Sequence, residues 1–120
     1  MIKNFIAFVL IWCSHQALSK EMICGWIDNP SPGNQWVTDS RGTYFIARQG
    51  AAQANGVDLI QPKDELGFVR KNGDYGYSCG CLVVDLATDD AKQIIKVYSY
   101  RQKKLDVCKG DRKLKSAGYN

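Results

Sequence analysis

Tyr75-Gly76-Tyr77-Ser78-Cys79-Gly80-Cys81-Leu82-Val83-Val84-Asp85-Leu86 places Tyr, Tyr, Cys, Cys, Val and Asp at its odd positions. Alternation over this length is the pattern of a β-strand, because successive side chains point to opposite faces. The even positions near its start, Gly76, Ser78 and Gly80, leave one face almost bare. A bare face lets a ligand or a neighbouring side chain approach the backbone. A large core aromatic lying over the glycines is the simpler of those two readings.

Outward from this strand, residues 87–90 are turn-rich, and the β-branched and aromatic residues of 93–100 complete a hairpin. Residues 35–38 and 43–46 flank Asp39-Ser40-Arg41-Gly42, where the glycine suits a tight turn, so they form a second hairpin. Residues 22–27 read as an opening strand, and Asn29-Pro30-Ser31-Pro32-Gly33-Asn34 as a rigid connector. Residues 50–58, rich in Ala and Gln, predict one or two helical turns bounded by Gly56 and Pro62. No segment sustains a 3.6-residue period. The expected fold is mostly β, a small antiparallel barrel or sandwich with little helix. Trp26, Trp36, Tyr44, Phe45 and Phe68 are expected to fill its core.

The chain has 120 residues, 45% of them apolar and 23% charged, which suits one globular domain and argues against disorder. Its start carries Lys3, nine apolar residues at 5–13, then a polar stretch ending Ala17-Leu18-Ser19. That is the layout of a secretory signal peptide over residues 1–19, and nine apolar residues are too few to span a bilayer. The domain then occupies residues 20–120. The one histidine, His15, lies in the leader, so the exported chain lacks a group that titrates near neutrality for Ser-His or Cys-His catalysis. No catalytic residue is assigned.

Four cysteines follow the leader: Cys24, Cys79, Cys81 and Cys108. An even number in an exported chain reads as two disulfides, and a single C-x-C with two distant partners lacks the paired knuckles of structural zinc. Residues two apart on an extended strand have Cα atoms roughly 6.5–7 Å apart, at or beyond the comfortable limit for a disulfide, so Cys79 is not expected to pair with Cys81. Each must reach Cys24 or Cys108. Of the two pairings left, Cys24–Cys81 with Cys79–Cys108 is preferred.

The runs Cys24-Gly25-Trp26, Asn29-Pro30-Ser31-Pro32-Gly33-Asn34-Gln35-Trp36 and Phe68-Val69-Arg70-Lys71-Asn72-Gly73-Asp74-Tyr75-Gly76-Tyr77-Ser78-Cys79-Gly80-Cys81-Leu82 resemble a family of small exported bacterial proteins described as a domain of unknown function. The resemblance extends over nearly the whole chain after the leader, and Cys108 fits the late Cys of the pattern. It implies a bacterial, periplasmic or secreted protein. It carries no activity, ligand or catalytic residue.

Asn72-Gly73-Asp74-Tyr75-Gly76-Tyr77 combines accessible backbone with amphipathic rings, so Asn72, Asp74, Tyr75 and Tyr77 are candidate binding residues; a plain tight turn is the rival reading. Charge is segregated: residues 20–90 hold 6 basic and 10 acidic side chains, whereas residues 91–120 hold 9 basic and 2 acidic. Lys103 and Lys104 mark this basic end as a second candidate surface, for an anionic envelope component or an acidic exported protein. Equally, lysines on edges keep β proteins soluble. Asp64-Glu65 and Asp89-Asp90 sit in turn contexts, where sequence neighbours do not make an acid/base pair facing across a cleft. No cofactor, metal or nucleic-acid partner is expected. Three functions remain open at this point: a non-catalytic periplasmic binding module of inhibitor or immunity type, a small carboxylate-dependent hydrolase, and an envelope protein holding anionic polymers.

Overall fold

The computed structural model describes residues 20–114. Strands β1 (Glu21–Ser31), β2 (Asn34–Asp39), β3 (Gly42–Ala47), β4 (Val69–Asn72), β5 (Tyr75–Leu86) and β6 (Ile94–Lys103) form one antiparallel sheet, followed by a short helix α1 (Leu105–Lys109). The leader assigned to residues 1–19 lies outside the described residues.

The sheet is organised by β5. One of its edges pairs with β1 from Glu21↔Val84 to Asn29↔Gly76, and β2 and β3 continue outward from β1. The other edge is shared: β4 takes Tyr75–Tyr77, and β6 takes the stretch from Cys79↔Lys103 to Leu86↔Ile94. Two residues of β6, Ile95 and Tyr98, fall at register shifts and bulge the strand, which increases its twist. The sheet curls until β3 meets the start of β6, where Phe45 N donates to Lys92 O at 2.8 Å. Residues 54–55 fill the remaining gap. Ala54 N donates to Ile46 O on β3, and Asn55 exchanges bonds with β6 through Ile95 O and Val97 N. Of the two architectures expected, the single curled sheet closing on itself is the barrel.

Alternation along each strand decides what lies inside. Ile23, Ile27, Val37, Tyr44, Ile46, Leu82, Val84, Ile94 and Val97 make the interior, all buried. Trp26 is buried on the opposite face, with Cys79, Cys108, Tyr77 and Leu105, beneath α1. Trp36 and Phe45, expected in the core, form instead a half-buried edge-on pair outside the barrel with centroids 6.2 Å apart. Their positions alternate with the inward Val37 and Tyr44, so the pleat itself excludes them from the interior.

Both hairpins read from the sequence are present, and the disulfides are Cys24–Cys81 and Cys79–Cys108. Each closes a long loop, with sequence separations of 57 and 29, worth roughly 3.5–4 kcal/mol apiece on chain entropy. Three local expectations are corrected. β1 does not stop at 27 but runs through Pro30 to Ser31, leaving only Pro32 and Gly33 as the turn. Proline is tolerated there because the β1–β2 register breaks between Asp28 and Ser31, so no ladder donor is lost. Residues 50–55 are not helical, since the backbone of 54–55 is committed to closing the barrel. Within the stretch expected to be helical, Val57–Leu59 forms a 3-10 turn. Helix α1 has no sequence signal of its own; it is five residues long and is tied to β5 by Cys108.

The bare face of β5 is covered, by two different things. At Gly80 a Cβ would lie 2.9 Å from the Tyr100 ring and equally close to the Arg101 carbonyl. The expected aromatic is therefore Tyr100, whose hydroxyl also lies 3.2 Å from Ser78 Oγ. At Gly76 the obstacle is backbone, the Val69 carbonyl of β4. Overpacking typically costs about 1–3 kcal/mol, and here rigid backbone must yield as well. Gly80→Val and Gly76→Val are thus expected to lower the urea midpoint further than Val83→Ala, which trims a half-buried side chain on the outer face; the reverse order would mean that neither glycine is needed for the close approach.

Candidate functional site

The interior changes character along the barrel. Toward the β1–β2 and β4–β5 turns, the inward positions pass from Ile and Leu to Asn29, Gln35, Ser78 and Gly76. Small or polar side chains cannot fill the space that Leu82 and Val84 fill lower down, and a recess of about 210 Å³ results. Ile27 and Ser78 line its deep part, 2 % and 1 % exposed. Gln35, 7 % exposed, and Asn29 form one wall, Ile60, Pro62 and Phe68 the opposite one, and Arg70 and Asp74 stand at the rim.

The wall made by residues 60–68 has no strand of its own and is held by side chains. Gln102 on β6 pairs with the Lys63 backbone as a strand would, accepting from Lys63 N at 2.6 Å and donating to Lys63 O at 3.0 Å. Arg70 on β4 donates through both terminal nitrogens to the Asp64 carboxylate, at 2.7 and 3.3 Å, and its guanidinium lies 5.3 Å from the centre of the Phe68 ring. These bonds hold the Asp64 carboxyl below its ordinary range. Half-exposed pairs of this kind add little stability, so their effect is positional: Phe68 is kept over the recess.

The structure separates the residues singled out from the sequence. Asp74 stands at the rim. Asn72 donates through Nδ2 to Pro30 O at 3.3 Å, tying the β4–β5 turn to the end of β1. Tyr75 borders a second depression beyond Asn29 and Gln35. Tyr77 points to the outer face and meets Trp26 edge-on at 5.4 Å. Lys103 lines a groove beside Cys81 on that outer face, and Lys104 is exposed just before α1. Asn29, Gln35, Phe68, Arg70 and Ser78 were not singled out as binding residues. The one available signal was the bare face around Ser78, since the other four come from three separate segments that meet only in the folded barrel.

Chemically, the recess offers two carboxamides, a hydroxyl, an ion-paired guanidinium and one carboxylate against an apolar wall. Asp64, the other carboxylate nearby, is occupied by Arg70. Such a set can orient a bound group by hydrogen bonds. It does not supply the two opposed carboxylates of glycoside hydrolysis.

Beneath the recess, burial raises the Tyr100 phenol above its ordinary value, an effect partly offset by its hydrogen bond with Ser78. A raised value means that the folded chain holds this proton more tightly than the unfolded chain. The associated stability is complete below the ordinary tyrosine value of about 10 and is lost as pH rises through the folded-state value. Tyr98, raised chiefly by its hydrogen bond to Asp85, acts with the same sign. Above pH about 10, the urea midpoint of the parent should therefore fall more steeply with pH than that of Tyr100→Phe. Parallel slopes would show that Tyr100 is not buried as described.

A protein family described as a protein of unknown function, DUF4087, matches residues 18–115. No curated protein and no solved structure matches the chain. Because the match takes in all six strands, both disulfides and every residue of the recess, the chain belongs to the DUF4087 family.

Proposed function

We propose that the protein is a non-catalytic binding module of the bacterial periplasm whose recess receives a single side chain of a partner protein. The observation that carries this reading is the size of the recess, about 210 Å³, set against its chemistry. Pockets for whole small-molecule ligands run to roughly 300–1,000 Å³, whereas one amphipathic side chain needs less and is served by an apolar wall facing a few fixed polar groups. Two disulfides and the signal-like leader support export. An inhibitor or immunity-type role suits a rigid scaffold that presents a preformed recess, because little entropy is lost on binding.

A photoreactive amino acid placed at Asp74 and irradiated in the native periplasm should give one discrete protein adduct, and Phe68→Ala or Gln35→Ala in the same chain should reduce its yield severalfold without changing the melting temperature. An adduct whose yield ignores both substitutions would remove the recess from the interaction.

The basic end supports a second element of the same reading. Arg101, Lys104, Lys109 and Lys113 are exposed, and a field of one sign orients an acidic partner during encounter more than it adds affinity. With the cross-linked partner in hand, Lys104→Gln, Lys109→Gln and Lys113→Gln combined should slow association at low salt and flatten its salt dependence. Unchanged rates and slope would reduce these lysines to a solubility device.

A further inference from the structure

We infer that Cys24–Cys81 is a thiol–disulfide exchange site open to an external dithiol, and that Cys79–Cys108 is the fixed structural bridge. The two disulfides lie on the same outer face of the sheet, yet their surroundings differ sharply. Cys79 and Cys108 are 1 % and 3 % exposed, enclosed with Trp26, Leu105 and Leu114. Cys24 is exposed and Cys81 half-buried, and Cys81 borders a groove of about 310 Å³ lined also by Met22, Val83, Ser99, Arg101 and Lys103. Exchange requires in-line access of a thiolate to sulfur, so Cys79–Cys108 is shielded and Cys24–Cys81 is not.

The groove also sets the direction of attack. Arg101 is the cross-strand neighbour of Cys81 on β6, and Lys103 lines the same groove. Positive charge beside a sulfur stabilises its thiolate and makes it the better leaving group. The incoming thiolate therefore attacks Sγ of Cys24, the more exposed of the two residues. The Cys24–Cys81 bond breaks, Cys81 leaves as a thiolate, and a mixed disulfide joins Cys24 to the dithiol. The second thiol of the dithiol, as its thiolate, then attacks its own partner sulfur in that mixed disulfide and expels Cys24. In total the dithiol loses two electrons and two protons and becomes a disulfide, and the two cysteines gain them. The sheet does not depend on this bond for its pairing. Cys24 and Cys81 are register partners inside a continuous ladder that runs from Glu21↔Val84 to Asn29↔Gly76, so the strands stay paired and the thiols stay adjacent for reoxidation.

The test uses the oxidised protein without denaturant, exposed to graded dithiothreitol, quenched with iodoacetamide and mapped by mass spectrometry. Cys24 and Cys81 should be alkylated together at least 10-fold faster than Cys79 and Cys108, while the far-ultraviolet circular dichroism stays native. Arg101→Gln with Lys103→Gln should slow that reduction severalfold at an unchanged melting temperature. With a Cys81→Ser chain, Cys24 should form a stable mixed disulfide with the disulfide of a monothiol such as glutathione, whereas a Cys108→Ser chain probed at Cys79 should not react until unfolded. Reduction of both bridges at one rate, or of Cys79–Cys108 first, would overturn the assignment. A rate indifferent to the two cations would overturn the proposed direction of attack.

Discussion

A β-strand that pairs on both edges must present its neighbours with a backbone they can approach, and β5 meets that requirement with glycine. Twelve residues, Tyr75–Leu86, hold β1 along one edge and β4 then β6 along the other. Gly76 lets the Val69 carbonyl of β4 come close, and Gly80 makes room for Tyr100 and the β6 backbone. A side chain at either position would push the flanking strand away and open the curl. The closing contacts follow from that curl: β3 reaches β6 only because the sheet has turned far enough for Phe45 and Lys92 to share a hydrogen bond.

The same tight curl explains why the interior is full at one end and open at the other. Branched and aromatic side chains from five strands occupy the lower part, where Leu82, Val84 and Ile94 are completely buried. Near the turns, glycine, serine and carboxamides replace them, and the missing volume becomes a recess with hydrogen-bonding walls. Its outer wall is a loop held by Gln102 and by the Arg70–Asp64 pair. Polar side chains acting on backbone do there what a strand would do elsewhere. The result is a depression in which Asn29, Gln35 and Ser78 are carried on strands and face an apolar wall.

The outer face divides in a comparable way. Under α1, Trp26 and Tyr77 enclose Cys79–Cys108, so that bridge is part of a small second core and anchors a helix too short to persist alone. Beside it, Cys24–Cys81 joins two strands that are already hydrogen-bonded and faces solvent. One bridge adds a connection that the sheet lacks, and the other reinforces one that it already has. That difference in mechanical role accompanies the difference in access on which their chemistry depends.

Local alternation was sufficient to read β5, both hairpins and the mostly β class directly from the chain, and covalent arithmetic narrowed the disulfides to two pairings. Period-two patterning is imposed by a neighbour that is always the same, the interior, and needs no knowledge of which strand lies alongside. Cysteine pairing was legible only in part: an extended backbone disfavours a Cys79–Cys81 bridge, while the choice between the two remaining pairings was made by the β1–β5 register and the position of α1. Tertiary structure alone decided the rest. Pro30 is accepted in β1 because a register break falls beside it, residues 54–55 are extended because a gap in the barrel needs their backbone, and α1 exists because Cys108 is bound to β5. The recess belongs to this second group: Asn29, Gln35, Phe68, Arg70 and Ser78 are ordinary residues in their own segments, and they acquire a common purpose only where a closing sheet brings four strands and a loop around a volume that none of them fills.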